Sequence, residues 1–397
     1  MGQTGFPART GRAPDIATAA SSEGEHIDLL FDARHIRQSG IGTYIGTLLP
    51  HLEQTFADRG LSLAVLVAEH ATPLLSDSTT VVVEREIAPM YSLSEQRAWD
   101  RAMKAVRPRA LWVPHYPFPF TTLRPGHRKT LLFVTVHDTL HILKQEVSGH
   151  SPARQAYARA MLTLDVRRSR TIFTPSEATA ASLRAMSPSA AVMVTPIPVD
   201  NGWFKPADPS LSPVKDRFIL YVGNAKWHKN LPLLLNAYAD IADSIPQKLV
   251  IAGSGEALRD GDERVGALAD RLGDRVEVMG RLDFEVLRSL VASADLLVMP
   301  SLHEGAGLPP IEAMASHTAV LASDIAALRE TCGDGADYFD PYDRQAAAAL
   351  LQRHCRDDDA RAALAARGWA HVTARQTDIS FGSAAEAVAA ELAASRR

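Results

Sequence analysis

From residue 26 onward, short apolar runs alternate with longer stretches in which apolar residues recur every three or four positions. The short runs are HIDLLFDAR (26–34), LSLAVLVA (61–68), ALWVP (110–114), KTLLFVTVHD (129–138) and TIFTPS (171–176). Near-continuous aliphatic runs of this length suit strands buried on both faces, as in a parallel sheet. Between them, TYIGTLLPHLEQTFADRG and SPARQAYARAMLTLDVRRSR carry helical periodicity. Strands alternating with helices predict parallel sheet with crossover helices. The pattern breaks at PIPVDNGWFKPADPSLSPVKD (196–216), whose proline density disfavours both helix and central strand and reads as a linker. A second series follows, with strands in RFILYVGN, QKLVIAGSG, RVEVMG and DLLVMPS, and AVLAS closing the second sheet. The expected fold class is α/β: two doubly wound domains facing a central cleft at the carboxyl ends of their strands.

Composition narrows this reading. The chain has 397 residues, a length that suits two average domains. Its net charge of −4 argues against general nucleic-acid binding. Cys332 and Cys355 make no metal-type spacing and suit a reducing compartment. Residues 1–25 are small, polar and rich in Gly and Pro, and are expected to be a disordered tail. No apolar run of about 18 residues occurs, so the expected location is cytoplasmic. The expected boundaries are a first doubly wound domain over 26–203, completed by a C-terminal helix at 379–397, and a second over 204–378.

Chemistry concentrates in PSLHEGAGLPPIEAMA (300–315). DLLVMPS leaves the sheet at its carboxyl edge, and Gly305 and Gly307 let the backbone turn and approach a ligand closely. Pro309 and Pro310 suit the first turn of a helix, whose N-terminus forms an anion site. Glu304 lies before the turn, and Glu312 is expected in the first helical turn. Ionised carboxylates only accept hydrogen bonds, so they suit hydroxyl groups. Phosphates flanked by polyhydroxyl rings describe a nucleotide sugar. The aspartates 357–359 precede a helix and read as caps rather than metal ligands.

The segment PSLHEGAGLPPIEAMASHTAVLASD resembles the signature of glycosyltransferase family 4, retaining enzymes of the GT-B fold with two glutamates separated by seven residues. YVGNAKWHKNLPLLLNAY resembles that family's GxxxxxKN segment, and LVIAGSGE and VEVMGRLDFEVLRSLVASADLLVMPS its later strands. The resemblance implies that Glu312 accepts from the ribose hydroxyls and that Glu304 lies near the donor sugar. It places the amides of Ala306, Gly307 and Leu308 on sugar or diphosphate, and Lys229 on the diphosphate. Asn224 stands where many relatives have Arg, with Lys226 a substitute cation. Arg281 and Leu282 are implied at the nucleobase.

RQSGIGTYIGTLL resembles the family's glycine-rich loop after the first strand, with Gly40 and Gly42 beside the donor; it is not a dinucleotide fingerprint. WVPHYPFPF resembles the stretch in which relatives have a strand-end histidine near the transferred sugar, which implies that place for His115, and VTVHD puts His137 at the next strand's end. The implied reaction needs no metal and no cofactor. It moves a hexose from a nucleotide sugar to a saccharide or polyprenyl-diphosphate-linked acceptor, with retention. FDAR, GIGTY and VHD look most like bacterial mannosyltransferases that use GDP-mannose for surface polysaccharides. A UDP-sugar donor, a GT-B epimerase and a non-catalytic sugar-nucleotide-binding protein remain open alternatives. The arginines at 154, 159, 167, 168 and 170 form either a solvated helix face or a contact with anionic lipid at the cytoplasmic membrane face or with a pyrophosphate-linked acceptor.

Overall fold

The computed structural model describes residues 27–253 and 263–395. The tail read over 1–25 lies outside the described residues. The chain divides into two compact units: residues up to Thr139 with Ala153–Ile197 and Ser380 onward, and Leu140–Pro152 with Pro198–Ile379.

The first unit holds a sheet of seven parallel strands in the order β3-β2-β1-β4-β5-β6-β7. These are β1 (Leu29–Asp32), β2 (Leu63–Ala68), β3 (Thr80–Glu84), β4 (Ala110–Val113), β5 (Leu131–Thr135), β6 (Thr171–Thr174) and β7 (Val192–Val194). Central strands β1 and β4 are fully buried, which is why their sequences show no polar alternation. Phe31, Trp112 and Phe173 pack at the middle of this sheet, with Trp112 and Phe173 4.5 Å apart. Trp112 satisfies its indole N–H by donating to Thr135 Oγ1 at 3.0 Å, and Thr135 bonds Tyr44 at 3.1 Å. The C-terminal helix Ser383–Ala394 packs on the helix Ser39–Asp58 and is pinned by Arg109, which donates to Leu392 O at 2.8 Å.

The second unit holds six parallel strands in the order β10-β9-β8-β11-β12-β13. They are β8 (Phe218–Val222), β9 (Lys248–Ala252), β10 (Val276–Met279), β11 (Leu296–Met299), β12 (Ala319–Ser323) and β13 (Asp337–Phe339). AVLAS therefore does not close the sheet: β13, three residues long, pairs beyond it. Strands β3, β7 and β13 escaped the sequence pattern because they sit at sheet edges and are short or half exposed.

In both sheets the strand order reverses once, between β1 and β4 and between β8 and β11. Loops leaving adjacent strands on opposite sides of such a point open a crevice at the carboxyl ends, the usual ligand position in this architecture. Residues after β8 and β11, and after β1 and β4, are accordingly the ones to inspect.

Candidate active site

In the second unit the switch-point loops are tied together by hydrogen bonds. After β8, Tyr221 donates its hydroxyl to Asn224 O at 2.7 Å, and Asn224 Oδ1 accepts from Lys226 N at 3.3 Å. Asn224 thus shapes the turn with its side chain, and Lys226 points into solvent. The chain then makes a short 3-10 turn, Trp227–Lys229, and enters the helix Leu231–Ile241 through Asn230 at φ 54°. Asn tolerates that left-handed conformation better than most residues. Its Nδ2 also donates to Pro300 O at 3.1 Å and Pro341 O at 2.9 Å, and Leu302 N donates to His228 O at 2.7 Å. Asn230 is therefore a structural clamp between the β8 and β11 loops, a role not apparent from its sequence neighbours.

The clamp brings Lys229 to Glu304. Lys229 Nζ lies 2.7 Å from Glu304 Oε1, and Ser301 Oγ donates to the same oxygen at 2.6 Å. The amine is 15% exposed and the carboxylate 9%. Sequence reading gave these two residues separate roles, one on phosphate and one on sugar. The structure pairs them, so each fixes the other's position and both remain at the edge of solvent.

Gly307 follows at φ 64°, and the helix Leu308–Ala315 starts on it with Pro309 and Pro310 in its first turn. A side chain there would be doubly excluded: the left-handed backbone disfavours it, and a Cβ would lie 2.5 Å from Leu328 Cδ2. Gly305 takes no positive φ, so only one of the two glycines is required by its backbone. Ala306 O accepts from Thr331 Oγ1 at 2.7 Å, which holds the turn from behind.

Glu312 is the fifth residue of this helix and lies in its second turn, not its first. It is half-buried, and burial, reinforced by the negative charge of Asp200, raises its carboxyl to about 7. A carboxyl poised there gains most from hydroxyl donors that stabilise its ionised form. Arg281 is exposed, and Leu282 packs partly against the core.

In the first unit, Gly40 and Gly42 are not in a loop. They lie in the first turn of the helix Ser39–Asp58. Gly42 has a packing reason, since a Cβ would sit 2.4 Å from Ile36 O. A backbone oxygen cannot swing aside as a side chain can, so this glycine serves the entry of the helix.

His137, after β5, donates from Nε2 to Pro114 O at 2.8 Å, which leaves Nδ1 as an acceptor. Burial lowers it to about 4, so it is neutral at physiological pH and acts as a positioned polar group rather than a proton donor. His115 is 1% exposed and turned inward, with Nε2 2.8 Å from Glu95 Oε1. His35 Nε2 approaches the same oxygen at 3.4 Å, and Gln38 donates to His35 Nδ1 at 3.0 Å. Arg34 grips Asp32 with two side-chain bonds of 2.9 and 2.6 Å, and Trp99 donates to Asp32 at 2.7 Å. The three ligand-type atoms of His35, Glu95 and His115 lie within 4.8 Å of one another. A guanidinium nitrogen of Arg34 stands 4.0 Å from the same glutamate oxygen, an arrangement suited to a buried hydrogen-bond network. Burial alone would raise the Asp32 carboxyl, but Arg34 outweighs it and holds the group well below the usual carboxylate range. Sequence reading named His115 alone; Glu95 was missed because its partners are distant in sequence, and Asp32 and Arg34 because their local pair meets Trp99 and Glu95 only in the fold. The available signal was FDAR itself, two opposite charges at the end of a buried strand.

Comparison with known proteins now becomes decisive for the second unit. Residues 206–370, from before β8 to beyond β13, match the model of "Glycosyl transferases group 1". The second unit thus resembles the group 1 glycosyltransferases.

The O-antigen chain mannosyltransferase RfbU of Salmonella typhimurium is 29% identical over 251 residues, covering 60% of this chain and 69% of RfbU. The serotype-specific mannosyltransferase WbdA of Escherichia coli is 32% identical over 36% of this chain, but that match spans only 18% of WbdA. Among solved structures, sucrose-phosphate synthase from Thermosynechococcus elongatus superposes with a TM-score of 0.70 at 20% identity, covering 94% of this chain and 98% of that one. Together with the two parallel sheets, this establishes the GT-B fold of this chain. Among the described residues, no helix is long and apolar enough to cross a membrane.

Proposed function

We propose that this glycosyltransferase moves mannose from GDP-mannose, with retention at the anomeric carbon, to a saccharide or polyprenyl-diphosphate-linked saccharide in surface polysaccharide synthesis. The observation that supports it most is the Lys229–Glu304 pair at the β8/β11 switch point, beside the N-terminus of Leu308–Ala315. The choice of mannose follows RfbU and WbdA, both named as mannosyltransferases.

In this reading Glu312 accepts from the ribose hydroxyls, Arg281 and Leu282 flank the base, and the amides of Ala306, Gly307 and Leu308 face the diphosphate. Lys229 stands beside the diphosphate, and Glu304, which positions it, faces the sugar. The bond between the anomeric carbon and the diphosphate oxygen breaks. The acceptor hydroxyl oxygen bonds to that carbon on the same face, and its proton passes to the departing diphosphate. Charge grows on the diphosphate as the bond lengthens, and the lysine and helix N-terminus stabilise that charge. His137 supplies an oriented, uncharged imidazole at the end of β5. Glu95 holds His115, which gives His115 a positioning role.

The test is incubation with GDP-mannose or a UDP-hexose and short saccharide acceptors, reading nucleotide release and the product's anomeric configuration. Acceptor-dependent GDP release with retention is expected. Acceptor-dependent UDP release would move the donor to the UDP-sugars. Release that proceeds equally without acceptor would favour an epimerase or hydrolase.

Glu312 gives a second readout. Donor hydroxyls stabilise the ionised carboxylate, so affinity is full above about pH 7 and lost as pH falls through it. GDP-mannose binding should weaken about tenfold between pH 8 and pH 6, following the ionised fraction. Calorimetry on Glu312→Gln should show weaker binding with no such slope. A parent whose affinity is flat over this range would remove Glu312 from the ribose.

A further inference from the structure

We propose that the first unit carries a docking surface for a lipid bilayer with anionic headgroups, built from the helix Leu93–Val106 and the turns beside it. On this helix Glu95, Ala98, Trp99, Ala102 and Met103 are buried. Leu93, Arg97, Arg101 and Lys104 fall on the opposite face at intervals of four, four and three residues, and all four are exposed. Leu93 is 77% exposed, and Ile87, in the loop after β3, is 84% exposed.

The turn Phe120–Leu123 lies against the same helix. Phe120 N donates to Gln96 Oε1 at 2.9 Å, Gln96 donates to Phe118 O at 3.1 Å, and Thr121 Oγ1 donates to Asp100 Oδ1 at 3.1 Å. These bonds add the exposed Phe120 and Leu123 to the helix face. Arg101 pairs with Glu86 at 3.0 Å, which ties the loop bearing Ile87 to that face. Four large apolar side chains therefore project from one neighbourhood, on backbone that hydrogen bonds hold in place.

Their surroundings are basic. Residues 85–130 hold nine Lys and Arg against three Asp and Glu, in a chain whose net charge is −4. Glu95 is buried, Glu86 is paired with Arg101, and Asp100 is shared by Lys104 and Arg124 at 2.7 and 2.8 Å. Arg97, Arg128 and Lys129 are exposed and have no acidic partner among the described residues. Apolar tips set among cations are the composition that inserts into the headgroup layer of an anionic membrane. The helix Pro152–Arg168, where the arginine run allowed the same reading, exposes only Tyr157 among its large apolar residues. The lipid-facing surface thus moves from that helix to Leu93–Val106 and its neighbours. It shares no residue with the donor site in the second unit, and its test does not depend on the donor.

Co-sedimentation with vesicles of phosphatidylcholine, alone or mixed with phosphatidylglycerol, tests this on the full chain. The parent should bind the mixed vesicles, bind the neutral ones at least tenfold more weakly, and be released by high salt. Ile87→Glu with Leu93→Glu, and separately Arg97→Glu with Arg128→Glu, should each lower binding at least tenfold while leaving the thermal midpoint and the nucleotide-sugar-induced shift unchanged. Failure to bind either vesicle, or equal binding by parent and variants, would overturn the proposal. So would a parent dimer that the Ile87 and Leu93 changes dissociate without altering vesicle binding, which would make the surface a self-association face.

Discussion

Lys229→Ala should lower kcat by about 10²- to 10³-fold, the range for removing one preorganised electrostatic group. The lysine lies 2.7 Å from Glu304, held by a loop clamp that does not rely on the lysine itself. Its loss should therefore spare the fold and show in turnover. The effect should exceed that on KM, because the diphosphate gains charge only as the glycosidic bond breaks. Asn224 is engaged with its own turn and Lys226 points to solvent, so neither is placed to substitute. Steady-state kinetics with GDP-mannose, alongside a thermal midpoint for the variant, decide the matter. A kcat within a few-fold of the parent would assign the diphosphate to another cation.

Asp32→Ala should cost about 3–5 kcal/mol of stability, the cost of stripping one partner from a buried ion pair. Both partners are essentially buried, with 2% exposure for the Arg34 side chain and none for Asp32. Without the carboxylate, Arg34 keeps its charge in the interior with Glu95 as its next acid at 4.0 Å, and the Trp99 N–H loses its acceptor. Urea unfolding followed by tryptophan fluorescence measures the loss, since Trp99 sits in the network. Asp32 and Glu95 are both held below their ordinary values, against burial, by Arg34 and the neighbouring imidazoles. Their stabilisation is full above about pH 4 and fades as pH falls below it toward the folded values. The variant should therefore show a flatter decline between pH 4 and pH 2 than the parent. A loss below about 1 kcal/mol would show that Glu95, not Asp32, anchors the arginine.

The chain's own order of residues determined the layers and the turns. Buried central strands such as LLFD and LLVM have no choice but to read as apolar runs, and a Gly-Leu-Pro-Pro junction has few conformations open to it other than a strand exit into a helix. The glutamate pair and the family segment were legible for the same reason: they lie close together along the backbone, where local geometry constrains them. Asp357 likewise caps the helix Asp358–Asp378 by accepting from Ala360 N at 2.8 Å, a local bond that its position foretold.

Only tertiary structure decided which distant groups meet. Lys229 and Glu304 are 75 positions apart, and Asp32 and Trp99 are 67 apart. Nothing in the sequence near either residue specifies its partner, because the pairing is set by which strands become neighbours. The short edge strands β7 and β13 were hidden because so few residues give a weak periodic signal, and pairing with an existing sheet is what makes them strands. Gly42 was read as a loop residue but lies in the first turn of a helix, where the Ile36 carbonyl leaves no room for a Cβ. Glu312 was read into the first helical turn but lies in the second, and its rise to about 7 comes from burial and from Asp200, 112 residues earlier in the chain. Periodicity reports what a residue does to its own backbone; charge, protonation and partnership depend on what the fold brings beside it.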